Sequence, residues 1–133
     1  MRASIPLTWR RIPERYRMIG VRCNTCSTNF FPTRLICPNC RRKGKLEPFK
    51  YSGEGEIYSF TEIDSPPEGF EDQAPYVLAL VKLKEGATLT AQIVDVRMKD
   101  VKISDKVKMV FRVIQKDDPE GLIHYGFKFK LVD

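Results

Sequence analysis

Histidine is almost absent from this sequence of 133 residues, which contains His124 and no other. The chain also lacks the GxSxG elbow of serine hydrolases and the GxxxxGK[ST] loop that binds nucleotide phosphates. None of its apolar runs approaches the roughly 18 residues that a membrane-spanning helix needs. These absences favour a protein that is not an enzyme. They also predict no membrane association, no signal sequence and a cytoplasmic location.

Acidic residues are scarce in the first fifty positions, where only Glu14 and Glu47 occur. The whole chain carries a net charge of +6 and has an isoelectric point near 9.2. A surface this basic suits nucleic acid or an acidic protein surface, and it is also compatible with a face that is merely solvated. The cations of this stretch are Arg2, Arg10, Arg11, Arg15, Arg17, Arg22, Arg34, Arg41, Arg42, Lys43, Lys45 and Lys50.

All the cysteines lie in two CxxC pairs, Cys23 with Cys26 and Cys37 with Cys40. Each pair places two thiolates on one tight turn, and two facing turns supply the closed tetrahedral set of a structural Zn²⁺ site. Disulfides suit secreted chains, and a redox CxxC is expected beside a βαβ pattern that this sequence does not show. We therefore predict one structural zinc per chain. Neighbouring arginines can offset the negative charge of four thiolates: Arg22, Arg34, Arg41 and Arg42.

Residues 1–18 are predicted to form a helical arm, with a short helix, a turn and a second short helix over 5–18. Pro6 suits a first helical turn, and Pro13 would break the hydrogen-bond ladder of a single long helix. The arm concentrates the residue types that dominate interface hot spots, so it is a candidate partner-binding element. Alternatively, it folds back on its own ribbon. The candidate partner-binding residues are Trp9, Arg10, Arg11, Arg15 and Tyr16.

Residues 19–48 are predicted to form a zinc ribbon. A module of this length buries little apolar surface, so the metal is expected to supply much of its folding energy. The rest of the chain is long enough to close a small core of its own. The short strands and small core of the ribbon are predicted to come from Phe30, Phe31, Leu35 and Ile36.

Residues 49–133 alternate apolar and polar side chains, as half-buried strands do. Five predicted strands with a longer break after the third match an OB-fold barrel. The predicted fold class is therefore mainly β, with a helical arm, a four-cysteine zinc ribbon and a five-stranded OB-fold barrel. The strands are predicted at 54–63, 76–84, 87–96, 106–115 and 122–132. Glu85-Gly86 predicts a tight hairpin turn between the second and the third.

Side-chain alternation also predicts which residues fill the barrel. On the last two strands, Lys106, Lys108, Arg112, Lys128 and Lys130 are expected to point outward. The inward residues are predicted to be Val77, Ala79, Val81, Leu83, Leu89, Ala91, Ile93, Val107, Met109, Phe111, Val113, Tyr125, Phe127, Phe129 and Leu131.

An arm, a four-cysteine ribbon and an OB barrel in this order resemble the zinc-ribbon/OB-fold proteins that accompany acyl-CoA-handling enzymes. That family long carried only a domain-of-unknown-function label. The resemblance lies in residues 15–23 (RYRMIGVRC), 31–34 (FPTR) before Cys37, and 75–86 (PYVLALVKLKEG), and it covers nearly the whole chain. Where the family often has glycine before the fourth strand, this chain has Asp105.

The resemblance implies a non-catalytic subunit bound to thiolase-like enzymes. With its WRRIPERY arm at 9–16, the chain is similar to the archaeal-type subunit that bridges acetoacetyl-CoA thiolase and HMG-CoA synthase in the mevalonate pathway. One rival is a nucleic-acid-binding protein, for which ribbons and OB barrels are also used. The outward strand faces lack the row of exposed aromatics that stacks on bases, so nucleic acid is disfavoured. Another rival is direct acyl-CoA binding by the barrel, because basic grooves suit acidic ligands.

Overall fold

The computed structural model describes residues 4–117 and 120–132. Residues 1–3 of the predicted arm, residues 118–119 between the last two predicted strands, and residue 133 lie outside the described residues. The arm contains two helices, α1 (Ile5–Arg10) and α2 (Ile12–Arg17). Each helix has a proline in its first turn, and the Oγ atom of Ser4 caps α1. The predicted order of short helix, turn and short helix is confirmed over these residues.

The ribbon is a three-stranded antiparallel sheet with the order β2-β1-β3. Its strands are β1 (Ile19–Cys23), β2 (Thr28–Phe30) and β3 (Leu46–Lys50). A Cβ atom on Gly20 would lie 2.5 Å from the carbonyl oxygen of Phe30, so only glycine allows β1 and β2 this close an approach. The prediction that Leu35 and Ile36 belong to the ribbon core is wrong. They lie on the loop between the cysteine pairs, where Leu35 is 95% exposed and Ile36 is 67% exposed.

Five strands close into a barrel with the order β4-β5-β6-β8-β7. Neighbouring strands are antiparallel except for β6 and β8, which are parallel. This arrangement confirms the predicted fold class, including the five-stranded OB-fold barrel. The strands are β4 (Glu54–Ile63), β5 (Tyr76–Leu83), β6 (Thr88–Ile93), β7 (Lys106–Lys116) and β8 (Ile123–Leu131). Short 3₁₀ turns occur at Glu71–Gln73 and Met98–Asp100.

The strand boundaries follow local turn chemistry. β4 coincides with the predicted strand at 54–63. The predicted hairpin between β5 and β6 is confirmed, because Gly86 adopts a φ of 105° and donates its N–H to the Leu83 carbonyl at 2.9 Å. β6 ends earlier than predicted because the chain turns sharply at Asp95, whose φ is 59°.

The barrel core matches the predicted alternation along β5 and β6 and departs from it at the far end of β7. The prediction that Phe111 and Val113 point into the barrel is wrong, since they are 46% and 36% exposed. The reason is that β4 pairs only with Lys106–Lys108, so the second half of β7 extends beyond the barrel wall. The predicted core residues confirmed as buried are Val77, Ala79, Val81, Leu83, Leu89, Ala91, Ile93, Val107 and Phe129.

The last strand, β8, also differs from its predicted pattern. Tyr125 does not fill the barrel, because its ring stacks on the exposed ring of Phe111 at 5.4 Å. Lys128 does not point into solvent, since only 6% of it is exposed. Its Nζ atom donates to Oε1 of Gln73 at 2.7 Å, and the loop that carries Gln73 covers this face of the strand. Phe127 and Leu131 pack against the core from partly buried positions.

The ribbon and the barrel share one hydrophobic core. Met18, Phe31 and Tyr51 are 0%, 7% and 3% exposed and belong to the same buried cluster as the barrel residues. The Phe31 ring contacts Tyr51 at 5.5 Å and Phe127 of β8 at 5.4 Å. The expectation that the barrel closes a core of its own is therefore corrected: its core continues into the arm and the ribbon.

Polar contacts reinforce this junction. The Asn29 side-chain amide of β2 donates to the Glu85 carbonyl at 2.9 Å. The Glu85 carboxylate accepts from the backbone N–H and the hydroxyl of Ser52, at 2.9 and 2.6 Å. Burial, with Glu85 nearby, raises the pKa of Tyr51 to about 12. The hairpin between β5 and β6 is thus held against the sheet of the ribbon by hydrogen bonds as well as by packing.

Candidate metal centre and partner-binding surfaces

The first cysteine pair lies where β1 ends and turns back into β2. Cys23 is the last residue of β1, and Ser27 permits the reversal by adopting a φ of 58°. The N–H of Asn24 donates to the Lys45 carbonyl at 2.9 Å, which holds the turn against the chain that enters β3. Cys26 Sγ lies 3.3 Å from the Thr28 hydroxyl. The strand pairing therefore fixes the direction of both sulfur atoms.

The second cysteine pair forms its own tight turn. The N–H of Arg41 donates to the Cys37 carbonyl at 2.8 Å, and the N–H of Cys40 lies 3.4 Å from Cys37 Sγ. Arg41 has a φ of 53°, which reverses the chain just after Cys40. A Cβ atom on Gly44 would lie 2.8 Å from the Cys37 Cβ, so this position suits glycine alone.

The two turns face each other and bring four sulfur atoms together. All four Sγ atoms lie within 4.8 Å of one another. The closest approaches across the turns are 3.9 Å between Cys23 and Cys40 and 3.6 Å between Cys26 and Cys37. A Zn–S length of about 2.3 Å in a tetrahedron requires sulfur separations of about 3.8 Å. A disulfide requires about 2.05 Å, so the geometry is consistent with one structural zinc and not with disulfides.

The local surroundings of the thiols shift the pKa values of Cys23 and Cys40 in opposite directions. A backbone hydrogen bond from Cys26 lowers the pKa of the Cys23 thiol to about 6. Burial raises the pKa of the Cys40 thiol to about 12. Four ligating thiolates so close together repel one another, and a divalent cation among them removes that repulsion. Of the arginines predicted to offset the charge, Arg34 lies over the Phe30 ring, 5.4 Å from its centroid.

The five predicted partner-binding residues do not form one surface. Trp9 is 75% exposed on α1, and Arg10 and Arg11 beside it are exposed. Tyr16 is half-buried and packs edge-on against Phe111 at 5.0 Å. Arg15 is also half-buried and lines a cleft of the barrel. The first helix of the arm is therefore open to a partner, whereas the second packs on the barrel.

The sequence indicated Trp9 as a contact residue, but the exposure of Ile5 beside it and of Leu35 and Ile36 was not predicted. Ile5 lies four residues before Trp9 on α1 and is 69% exposed, so the two side chains share a helix face. Leu35 and Ile36 protrude from the loop between the cysteine pairs. Among the immediate neighbours of Leu35 and Ile36 in the sequence only Arg34 is charged, so the local sequence provided little signal that the pair is exposed.

A cleft of about 500 Å³ opens between the loop that carries Gln73 and strands β5, β6 and β8. Its wall is mostly apolar, and Arg15 and Lys128 are its cations. Burial, with Arg112 nearby, lowers the pKa of Lys128. At one end, His124 Nε2 lies 2.9 Å from Asp117 Oδ1, and both side chains are almost buried. None of the helices in the described part of the chain is long and apolar enough to cross a membrane.

Two family profiles match the chain. The profile described as the ChsH2 rubredoxin-like zinc ribbon domain matches residues 10–47, and that of the ChsH2 C-terminal OB-fold domain matches residues 50–112. A DUF35 domain-containing scaffold protein of Methanothermobacter thermautotrophicus is 53% identical over 123 residues, which cover 92% of each chain. The chain belongs to the DUF35 family. A protein of the same description from Methanocaldococcus jannaschii is 50% identical over 95% of this chain and 89% of its own.

More distant DUF35 relatives extend the comparison. A solved structure described as the Ltp2-ChsH2(DUF35) aldolase superposes with a TM-score of 0.71 at 26% identity, covering 98% of this chain and 96% of the matched one. A DUF35 protein of unknown function from Sulfolobus solfataricus, at 22% identity and a TM-score of 0.56, shows the fold alone. It covers 87% of this chain and 76% of its own. A probable enoyl-CoA hydratase alpha subunit from Thermomonospora curvata is 31% identical over 71% of this chain and 29% of its own length.

Proposed function

We propose that this protein is a non-catalytic scaffold subunit that holds acetoacetyl-CoA thiolase and HMG-CoA synthase together. The observation that carries the proposal is the identity of 53% and 50%, over nearly the whole chain, with proteins described as scaffolds. The superposition on a chain of the Ltp2-ChsH2(DUF35) aldolase supports a thiolase-type partner. The two named enzymes follow from the family resemblance of the sequence.

The physical benefit of such a scaffold is proximity. Formation of acetoacetyl-CoA from two acetyl-CoA molecules is unfavourable, so the next enzyme must remove the product. Holding the two enzymes side by side raises the effective concentration of the intermediate at the second site. The scaffold needs no catalytic group of its own for this effect.

The metal centre of the proposed scaffold is structural. We propose that Cys23, Cys26, Cys37 and Cys40 bind one Zn²⁺ per chain. With four protein ligands, no coordination position is left for a substrate. The cation would join β1 to the loop that carries Leu35 and Ile36, and so keep that loop in place.

Two exposed apolar sites offer contacts for two partners. The α1 site consists of Ile5 and Trp9, and the knuckle site consists of Leu35 and Ile36. Trp combined with neighbouring Arg is the composition of an interface hot spot. Because the two sites lie on different modules of the chain, one protein could contact each enzyme through a different site. We propose that the α1 site, with Arg10 and Arg11, docks one of the enzymes.

We expect the three purified proteins to co-elute in size-exclusion chromatography, and the scaffold alone to have neither enzyme activity. Trp9→Ala should weaken at least one enzyme contact by about tenfold or more, because hot-spot truncations cost on the order of 2 kcal/mol. Tyr58→Ala is the matched control, since Tyr58 is an aromatic residue 65% exposed on the barrel. Separate elution at micromolar concentration would refute the scaffold function. Equal co-elution of the Trp9→Ala variant would refute only the α1 assignment.

Single substitutions are preferable to removal of residues 1–18. Met18 is fully buried in the shared core, and Tyr16 packs on Phe111. Deleting the arm would therefore lower the stability of the barrel as well as remove Trp9.

Direct acyl-CoA binding is a second candidate function, and the barrel cleft favours it. The cleft combines a mostly apolar wall with Arg15 and the buried Lys128, which suits a ligand that has an acyl chain and phosphate groups. On this reading, calorimetric titration of the free protein with acetyl-CoA should give binding that Lys128→Met weakens by about tenfold, since a charge-assisted contact is lost. Heat no greater than that of dilution would reject this candidate and leave the scaffold function unaffected.

A further inference from the structure

Strand β7 is much longer than the stretch of β4 beside it. β4 pairs with β7 through Glu54–Glu56 against Lys106–Lys108. On its other edge β7 pairs with β8 as far as Lys116. From Val110 onward, β7 therefore has no strand on its β4 side among residues 4–117 and 120–132. Such an edge presents unpaired backbone donors and acceptors.

Alternation along the strand determines which backbone groups this edge presents. The N–H of Met109 points away from β8, because it donates to the Gly53 carbonyl at 2.7 Å. Phe111 and Val113, two and four residues further along, direct their backbone groups the same way. Within the described part of the chain, the Phe111 carbonyl accepts a hydrogen bond only from the side chain of the next residue, Arg112, at 3.1 Å. The open segment, residues 110–113, ends at the register shift between Val113 and Gln115, where the Ile114 carbonyl accepts a hydrogen bond from Gln73 Nε2 at 2.7 Å.

The side chains around the open segment differ between its two faces. Phe111 and Val113 expose apolar surface on one face, which the ring of Tyr16 extends. Arg112 lies on the opposite face, where it forms an ion pair with Asp95 at 3.1 Å. The strand sequence KVKMVFRVIQK contains no acidic residue. Its cations are Lys106 and Lys108 beside β4, where Lys106 pairs with Glu56 at 2.9 Å, and Arg112 and Lys116 further along.

We propose that the β7 edge at Phe111 and Val113 accepts an extended segment of a partner protein, which adds a strand that alternates apolar and acidic residues. Backbone hydrogen bonds would provide affinity, and the two faces of the strand would select a segment with apolar residues on one face and acidic residues on the other.

A second copy of this chain fits poorly on this edge. Antiparallel pairing centred on Arg112 would place Arg112 opposite Arg112 of the second copy, and like charges in register repel. The proposal rests on the scaffold function only for the identity of the protein that carries the segment.

Amide hydrogen exchange measured by NMR tests the edge directly. In the free protein, the amides of Phe111 and Val113 should exchange much faster than those of Val110 and Arg112, which face β8. A capped seven-residue peptide that alternates Glu and Val should slow the two outward amides by about tenfold or more. The same peptide with Lys in place of Glu should leave them fast. No slowing by the Glu peptide, or equal slowing by both, would overturn the proposal.

Val113→Pro removes the outward N–H of Val113 and no hydrogen bond to β8, because that N–H points away from β8. The variant should keep its melting temperature and lose the response to the peptide, whereas Val113→Thr, the matched control with an intact N–H, should retain both. If Val113→Pro fails to fold, Arg112→Glu provides the test without a change of backbone. It should lower affinity for the Glu peptide and raise affinity for the Lys peptide. Unchanged affinities in a folded variant would refute the charge selection.

The complex with the enzymes separates this proposal from the scaffold function. If the three proteins co-elute while the amides of Phe111 and Val113 stay fast, the edge proposal fails and the scaffold function stands. If the proteins do not co-elute but the Glu peptide protects both amides, the scaffold function fails and the edge proposal stands. A wild-type dimer that Val113→Pro converts to a monomer would assign the edge to a second copy, and would overturn the proposal.

Discussion

Removal of the proposed zinc should destabilise the entire protein and not the ribbon alone. Structural zinc sites contribute on the order of 10 kcal/mol to folding, which is comparable with the whole stability of a small domain. The four sulfur atoms hold β1 and the cysteine loops, and the chain between them carries Phe31 into the shared core. Chelation should therefore lower the melting temperature of the barrel strands, observed by circular dichroism, by more than about 10 °C.

Cys40→Ser should reproduce the effect of the chelator, with less than one zinc per chain in metal analysis. Asn39→Ser is the matched control, because Asn39 is exposed on the same turn and is not a ligand. It should retain the metal and the melting temperature. A barrel that melts at the same temperature with and without metal would show that the two modules are energetically independent, contrary to the shared core.

Phe31→Ala should be the most damaging substitution outside the metal centre. Phe31 is 7% exposed and joins the ribbon to Tyr51 and Phe127 through ring contacts. Truncating a buried phenylalanine costs about 3–5 kcal/mol, because both burial and packing are lost. Urea unfolding should show this loss while metal analysis still finds zinc, since Phe31 is not a ligand.

Leu35→Ala provides the control for this experiment. Leu35 is in the same loop as Phe31 but is 95% exposed, so its truncation should change the free energy of unfolding by less than about 0.5 kcal/mol. Equal losses for the two variants would mean that Phe31 does not connect the modules. A loss confined to Phe31→Ala, accompanied by two separate unfolding transitions, would mean that this residue supplies most of the coupling.

Local patterns were sufficient to predict the elements and the cysteine cluster. The alternation of β5 and the Glu85-Gly86 turn depend on neighbouring residues, and both were predicted correctly. The spacing of the cysteines predicted that four sulfur atoms would meet, because each CxxC needs only its own turn. Such features need no knowledge of which distant segment packs against them.

Long-range contacts explain what the sequence could not predict. Phe111 and Val113 follow the alternation of a buried face, but the face is buried only where β4 lies beside β7. Lys128 was predicted to face solvent from its position in the alternation of β8, but the loop that carries Gln73 covers it. Trp9 and Tyr16 were both predicted to contact a partner because of their residue types. The ring of Tyr16 instead packs against Phe111 of the barrel, whereas Trp9 is exposed. Each error involves a contact between segments far apart in the chain.

The contact between Phe31 and Phe127 has a consequence for the order in which the chain is synthesised. The ribbon emerges first and can bind metal early, but Phe31 gains its contact with Phe127 only when β8, the last strand, has been made. β8 also closes the barrel between β6 and β7. A nascent or truncated chain without β8 would therefore expose Phe31 and Tyr51 together with an open sheet. Exposed apolar surface and unpaired strand edges of this kind make incomplete chains prone to aggregation.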